Sequence, residues 1–212
     1  VEDPRTLFKV GDKIKAKIAF FTSREELLLK ITALFDIAPD EALGRIKTAP
    51  PTPHRQQVFK TSANITIIDD TYNASPVAVE SALNTLSQIE TAGRKIAVLG
   101  DMMELGPMTI EAHRQVGILA APVADIIFTV GLRMKFAEEE LNQKHFAKTK
   151  MFHFDNWQGV GEKLQQILKT GDVVLVKGSQ SMRLEKAVEE IMAFPEDKAN
   201  LLVRQEPEWQ KR

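Results

Sequence analysis

The chain has 212 residues, 43% of them hydrophobic and 27% charged, with a formal net charge of −1. That size suits one medium domain, or a domain with a smaller piece attached. The near-zero charge removes the electrostatic case for nucleic acid or an anionic membrane, the lack of cysteine excludes disulfides and thiolate chemistry, and no apolar run approaches the roughly 18 residues of a membrane span.

No two of the four histidines stand at helical ligand spacing, which argues against a structural zinc. No signal-peptide pattern opens the chain, so it reads as soluble and cytoplasmic; an opening Val in place of Met suggests a fragment.

Residues Lys13 to Phe20 alternate apolar and basic, as a half-exposed strand does. Ser23 and Glu26 form a capping-box pattern ahead of an amphipathic helix through Phe35. Pro39 starts a second short helix to about Ile46. Pro50, Pro51 and Pro53 stiffen a connector and mark the expected boundary. The division expected is therefore 1–52 as a leading piece, 53–194 as the main domain and 195–212 as a polar tail. An autonomous helical cap on a single domain is the alternative for the leading piece.

Beyond the connector the pattern becomes regular. Gln56 to Lys60 and Ile65 to Asp70 read as a hairpin. Strands are then expected at Lys95–Leu99, Ile126–Val130, Lys150–Phe154 and Val173–Val176. Helices are expected at about Val77–Thr91, Thr109–Ala121, Leu132–Gln143, Asp155–Lys169 and Ser181–Met192. Apolar strands alternating with amphipathic helices predict an α/β fold, a Rossmann-like and mostly parallel sheet with helices on both faces. The charged stretch from Pro195 has only scattered apolar residues and is expected to be poorly ordered or loosely docked.

Every candidate for chemistry follows a strand, on what would be one edge of the sheet. Asp69 and Asp70 close a β-branched strand, and as neighbours they point to opposite faces. A carboxylate there can accept from ribose hydroxyls; capping the next helix is the alternative for Asp70. Tyr72 can stack on a base or cover the core, and Asn73 can read a base edge or hold the loop. Gly100 to Gly106 holds Asp101 and Glu104, whose carboxylates can orient an incoming amine; a plain turn with surface acids is the other reading. His113 lies on the packed side of its helix and is expected to be a satisfied core or loop-bracing histidine; a catalytic role is the alternative. Lys177 to Ser181 opens a helix, so its backbone N–H groups can hold an anion; Ser181 as a plain N-cap is the alternative.

Four stretches carry a resemblance. Asp69 to Pro76 (DDTYNASP), Leu99 to Gly106 (LGDMMELG), His113 to Gly117 (HRQVG) and Val174 to Glu185 (VLVKGSQSMRLE) occur in order over about 120 residues. In that order they resemble the C-terminal domain of Mur ligases, nearest to the type that adds D-alanyl-D-alanine to UDP-N-acetylmuramoyl tripeptide. The resemblance implies ATP contacts from Arg55, Asp70, Tyr72 and Asn73, with Arg55 on the phosphates and Asp70 near the ribose. It implies contacts to the acceptor dipeptide from Asp101, Glu104, Ser179 and Ser181. Residues 1–52 would then be the trailing part of the central, ATP-hydrolysing domain.

A family ligase makes its amide through an acyl phosphate, using ATP and Mg2+ between closed domains. This chain has no G-x-x-x-x-G-K-[ST] loop, so the expected share is a nucleotide lid and an acceptor pocket without turnover, with the Mg2+ ligands elsewhere. A ligase for another amino acid and folylpolyglutamate synthetase are the near rivals. A stand-alone Rossmann-like module binding a nucleotide or a partner is the rival of another class.

Overall fold

The structure is a computed structural model and describes residues 37–38, 40–42, 44, 56–61 and 63–210. The chain divides after Pro50. Within the first unit Asp40–Ala42 and Gly44 are helical, inside the helix expected from Pro39. The strand expected at 13–20, the helix expected after Ser23 and Arg55 all lie outside the described residues.

The second unit holds a six-stranded sheet. Its strands are β1 (Gln57–Lys60), β2 (Thr66–Asp70), β3 (Lys95–Gly100), β4 (Ile126–Val130), β5 (Met151–Phe154) and β6 (Val173–Lys177), in the spatial order β1-β2-β6-β3-β4-β5. β1 and β2 form the expected antiparallel hairpin, with Val58 opposite Ile68. Every other pairing is parallel. The last strand of the chain thus lies between β2 and β3, pairing Asp70 with Lys177 on one side and Leu99 with Lys177 on the other.

Alternation along each strand feeds two cores. Ile68, Ala97, Ile127 and Leu175 face one core, against α1 (Pro76–Gln88), α2 (Thr109–Ala120) and α3 (Lys135–Gln143). Ile67, Val98, Phe128 and Val176 face the other, against α4 (Val160–Ile167) and α5 (Glu185–Ile191). Burial on both faces explains why these strands read as unbroken apolar runs. The Rossmann-like, doubly covered sheet expected from the pattern is therefore present.

Three helices start later than the apolar periodicity suggests, and each delay has a local cause. Gly131 takes φ 108°, so the chain turns before α3 can begin. The side chain of Asn156 accepts from the Gln158 N–H, and Gly159 is left-handed, so α4 starts at Val160. Arg183 is left-handed at φ 54° and separates a short 3-10 turn, Gln180–Met182, from α5. A left-handed residue cannot continue a right-handed helix.

The tail departs from expectation in one respect. It forms α6 (Lys198–Leu201) and α7 (Pro207–Gln210), and Leu202, Val203 and Arg204 between them are buried. Loose docking does not describe this stretch, because Leu202 joins the second core and Arg204 enters a charge network.

The edge of the sheet away from the candidate residues is locked by Asp172. Its carboxylate accepts from the Arg94 side chain at 2.5 and 3.2 Å and from the backbone N–H groups of Arg94 and Lys169 at 2.9 Å each. Burial alone would raise its pKa, but these donors outweigh it and hold it below the usual 3.8. The stabilisation is therefore present at neutral pH and lost as the pH falls below about 3.8. Asp172→Ala is expected to cost about 2–4 kcal/mol in urea denaturation at pH 7, with a smaller penalty at pH 3.

Candidate functional site

Three turns leave the C-terminal ends of the adjacent strands β2, β6 and β3, so they meet on one rim. They are Thr71–Ser75, Gly178–Ser181 and Asp101–Leu105. Direct bonds join the last two: the Ser179 N–H donates to the Asp101 carbonyl (3.1 Å), and the Met103 N–H donates to Ser179 Oγ (2.9 Å). Gly100 and Gly178 allow this approach, since a Cβ on Gly178 would stand 3.2 Å from Gly100 Cα and one on Gly100 3.3 Å from Gly178 Cα. His113 braces the same turn. Its Nε2 accepts from the Met102 N–H (3.0 Å) and its Nδ1 donates to the Thr109 carbonyl (2.7 Å), so the neutral ring with the proton on Nδ1 satisfies both.

Between the turns lies a cleft of about 870 Å³. Tyr72, Asn73, Glu104, Ser179 and Ser181 all line it, together with Arg183 and Trp209. Tyr72 is 48% exposed. Glu104 is exposed and left-handed at φ 63°, an uncommon backbone state for a residue with a side chain.

Asp70 sits beside this cleft in a smaller hollow of about 380 Å³, which it shares with Asn73 and Lys177. Lys177 Nζ donates to Asp70 Oδ2 (2.7 Å) and to the Asn73 carbonyl (2.8 Å). Lys177 is 2% exposed, so this pair is desolvated and its geometry is held tightly. One ammonium thereby fixes both the carboxylate and the turn that follows it.

Asp101 takes a different position. Its Oδ1 accepts from the N–H groups of Arg133 and Met134 at 2.9 Å each, and its Oδ2 from Arg133 Nη1 at 3.2 Å. A Cβ on Gly131 would fall 2.5 Å from its carboxyl carbon. The carboxylate is thus engaged in holding the turn before α3. Arg55 lies outside the described residues.

The expected helix-borne anion site also takes another form. Gln180–Met182 and Arg183 intervene between Ser179 and α5, and the first residue of α5 is the buried acid Glu185. Ser181 therefore does not cap α5, and Arg183 lines the cleft beside it.

The opposite face of β2 carries a network that the sequence did not disclose. Glu185 is fully buried and accepts from Arg183 Nε (2.6 Å) and Arg204 Nη1 (2.9 Å). Asp69 lies on this side, also fully buried; its Oδ1 accepts from the Thr71 N–H (3.0 Å), while its Oδ2 has no partner among the described residues. Burial, aided by the nearby charges of Asp70 and Glu185, pushes the Asp69 pKa up to about 6, against the opposing hydrogen bonds to Thr71. Lys177 was visible in the sequence as part of a motif without a role. Arg183 likewise fell inside that motif without a role, and Arg204 gave no signal, because an arginine in an irregular stretch looks the same buried or solvated.

The description "Mur ligase, glutamate ligase domain" matches residues 54–180. The UDP-N-acetylmuramoyl-tripeptide–D-alanyl-D-alanine ligase of Bacillus subtilis (strain 168) is 33% identical over 164 residues, covering 77% of this chain and 36% of that protein. The protein of the same name in Treponema pallidum (strain Nichols) is 36% identical over 125 residues, 58% of this chain and 27% of that one. Among solved structures, MurF ligase from Thermotoga maritima in complex with ADP superposes with a TM-score of 0.61 at 26% identity, over 81% of this chain and 37% of that one. The chain therefore spans about a third of the length of these relatives.

The raised Asp69 pKa sets a pH dependence. The fold favours the protonated acid, so this stabilising term is complete below pH 3.8 and is lost as the pH rises through about 6. Asp69→Asn is expected to flatten the decline in stability between pH 4 and 7 by about 3 kcal/mol, read from urea midpoints across that range.

Proposed function

Since this chain belongs to the Mur ligase family, we propose that it is the C-terminal part of an ATP-dependent ligase adding D-alanyl-D-alanine to UDP-N-acetylmuramoyl tripeptide, a step in peptidoglycan precursor synthesis. Its share of the work is to cover the nucleotide and hold the incoming dipeptide. One observation carries the reading: turns from three neighbouring strands bring Tyr72, Asn73, Glu104, Ser179 and Ser181 onto a single cleft. The similarity to proteins named for this reaction, and to one solved with ADP, supports it.

In this reading Tyr72 stacks on the base and Asn73 reads its edge or fixes the turn. Asp70, paired with Lys177 at 2.7 Å, accepts from the ribose. Arg55, near the division of the chain, is assigned to the ATP phosphates, where a planar guanidinium binds two oxygens at once. Glu104 attracts the dipeptide's ammonium. Ser179 Oγ already accepts from Met103 and keeps its own proton to donate to the dipeptide carboxylate. Ser181 lines the same wall. Asp101 serves the acceptor indirectly, by holding the turn at Arg133 and Met134.

The reaction is amide formation. The tripeptide carboxylate takes the γ-phosphoryl group from ATP, the dipeptide amine attacks the acyl carbon, and phosphate leaves with the former carboxylate oxygen. Effective catalysis requires both substrates oriented in a closed, water-poor cleft. No group of three or more His, Asp or Glu among the described residues is placed to hold a metal ion. The Mg2+ ligands and the phosphate-binding loop are assigned to parts of the ligase outside this chain, and residues 1–52 to the end of its central domain. No described helix is long and apolar enough to cross a membrane. The substrates and ATP place the proposed reaction in the cytoplasm.

Calorimetry of the chain with ATP, D-alanyl-D-alanine and NAD tests the reading. Binding of the first two without the third is expected; NAD binding alone would overturn it in favour of a dinucleotide module. Tyr72→Ala is expected to weaken ATP binding roughly 5- to 100-fold, the range for losing one base–aromatic stack. The chain by itself is expected not to turn over. Mg2+-dependent ADP release by a pure sample given tripeptide and dipeptide would refute that.

A further inference from the structure

We propose that the C-terminal segment is a strap that completes the nucleotide side of the cleft, with Arg204 as the positioning residue for the Tyr72 turn. The nucleotide part of this inference rests on the function proposed above.

The geometry is specific. Arg204 Nη2 donates to two successive carbonyls, Thr71 (3.0 Å) and Tyr72 (2.8 Å). Its Nη1 donates to Glu185, which is itself held by Arg183. One planar guanidinium thus ties the exposed turn after β2 to the buried start of α5. The separation along the chain is 132 residues for Tyr72 and 19 for Glu185. Arg204 is 6% exposed, so the contact is not a surface ion pair diluted by water. Lysine cannot replace it, because a single ammonium on a flexible stem does not present parallel donors to two carbonyls and a carboxylate.

The strap also walls the site. The Trp209 ring lies 5.5 Å from the guanidinium carbon of Arg183 and 5.8 Å from that of Arg204. It lines the 870 Å³ cleft with Tyr72 and also a neighbouring cleft of about 470 Å³ formed by the strap itself. Tyr72 stands between the two. Its backbone is held from below by Arg204 while its ring remains half-exposed. A ring pre-set in this way loses less freedom on binding a base than one on a free loop.

Tyr72 is the chain's one tyrosine, so tyrosine-selective isotope labelling gives a single reporter on the turn. The full chain is compared with Arg204→Ala and Arg204→Lys, with Trp157 as the control for global folding. In both variants the Tyr72 signals are expected to shift and broaden. Exchange of the Thr71 amide is expected to accelerate at least tenfold, and the Kd for ATP to weaken at least fivefold, while the Trp157 signal stays in place. If Arg204→Ala fails to fold, Arg204→Lys decides. Tyr72 signals unchanged in a folded variant would overturn the strap. Altered Tyr72 signals with unchanged ATP affinity would overturn the positioning role. If ATP does not bind the unsubstituted chain, the nucleotide reading fails with the positioning role, and the strap is judged on the Tyr72 and Thr71 signals alone.

Discussion

The structure depends on the insertion of β6 between β2 and β3. Only this order puts three strand ends side by side, with Lys177 in register with Asp70 and flanked by Leu99. The candidate cleft is a consequence of that adjacency, because turns leaving neighbouring parallel strands emerge on the same edge. The centre of the sheet comes from the last strand in the chain, so neither β2 nor β3 has both neighbours until residue 177 is placed. Contacts of such long sequence separation make the rim a cooperative feature of the whole domain.

Charge is distributed unequally between the two edges. At the far edge Asp172 gathers four donor contacts from Arg94 and Lys169, and nothing there is left unpaired on the carboxylate. At the cleft edge the pairing is incomplete: Asp69 Oδ2 and one nitrogen each of Arg183 and Arg204 are buried without partners among the described residues. Buried unpaired polar atoms cost stability, and they concentrate where geometry serves binding in place of folding. Glu185 explains why the cluster persists, since its two oxygens each accept from a guanidinium and link α5 to the tail.

Much of the fold was legible along the chain. Unbroken apolar strands, the hairpin and the alternation with helices follow from the need to bury a parallel sheet on both faces. Helix starts were less legible, because periodicity reports which face is apolar and not where a left-handed Arg183 or an Asn156 turn interrupts the backbone. Of the candidate residues, those in the short turns were readable as polar groups just after apolar strands. The opposite orientations of Asp69 and Asp70 also followed from strand alternation.

The amino-acid sequence by itself determined the class of the sheet, the edge on which polar turns gather and the family resemblance, since these depend on local pattern and on short runs of residues. It did not determine which carboxylate would face the cleft and which would be consumed in holding a turn, as Asp101 is. Nor did it reveal that the segment after Pro195 returns through Arg204 to grip the Tyr72 turn. Those outcomes rest on contacts between residues far apart in the chain, and only the packed structure selects them.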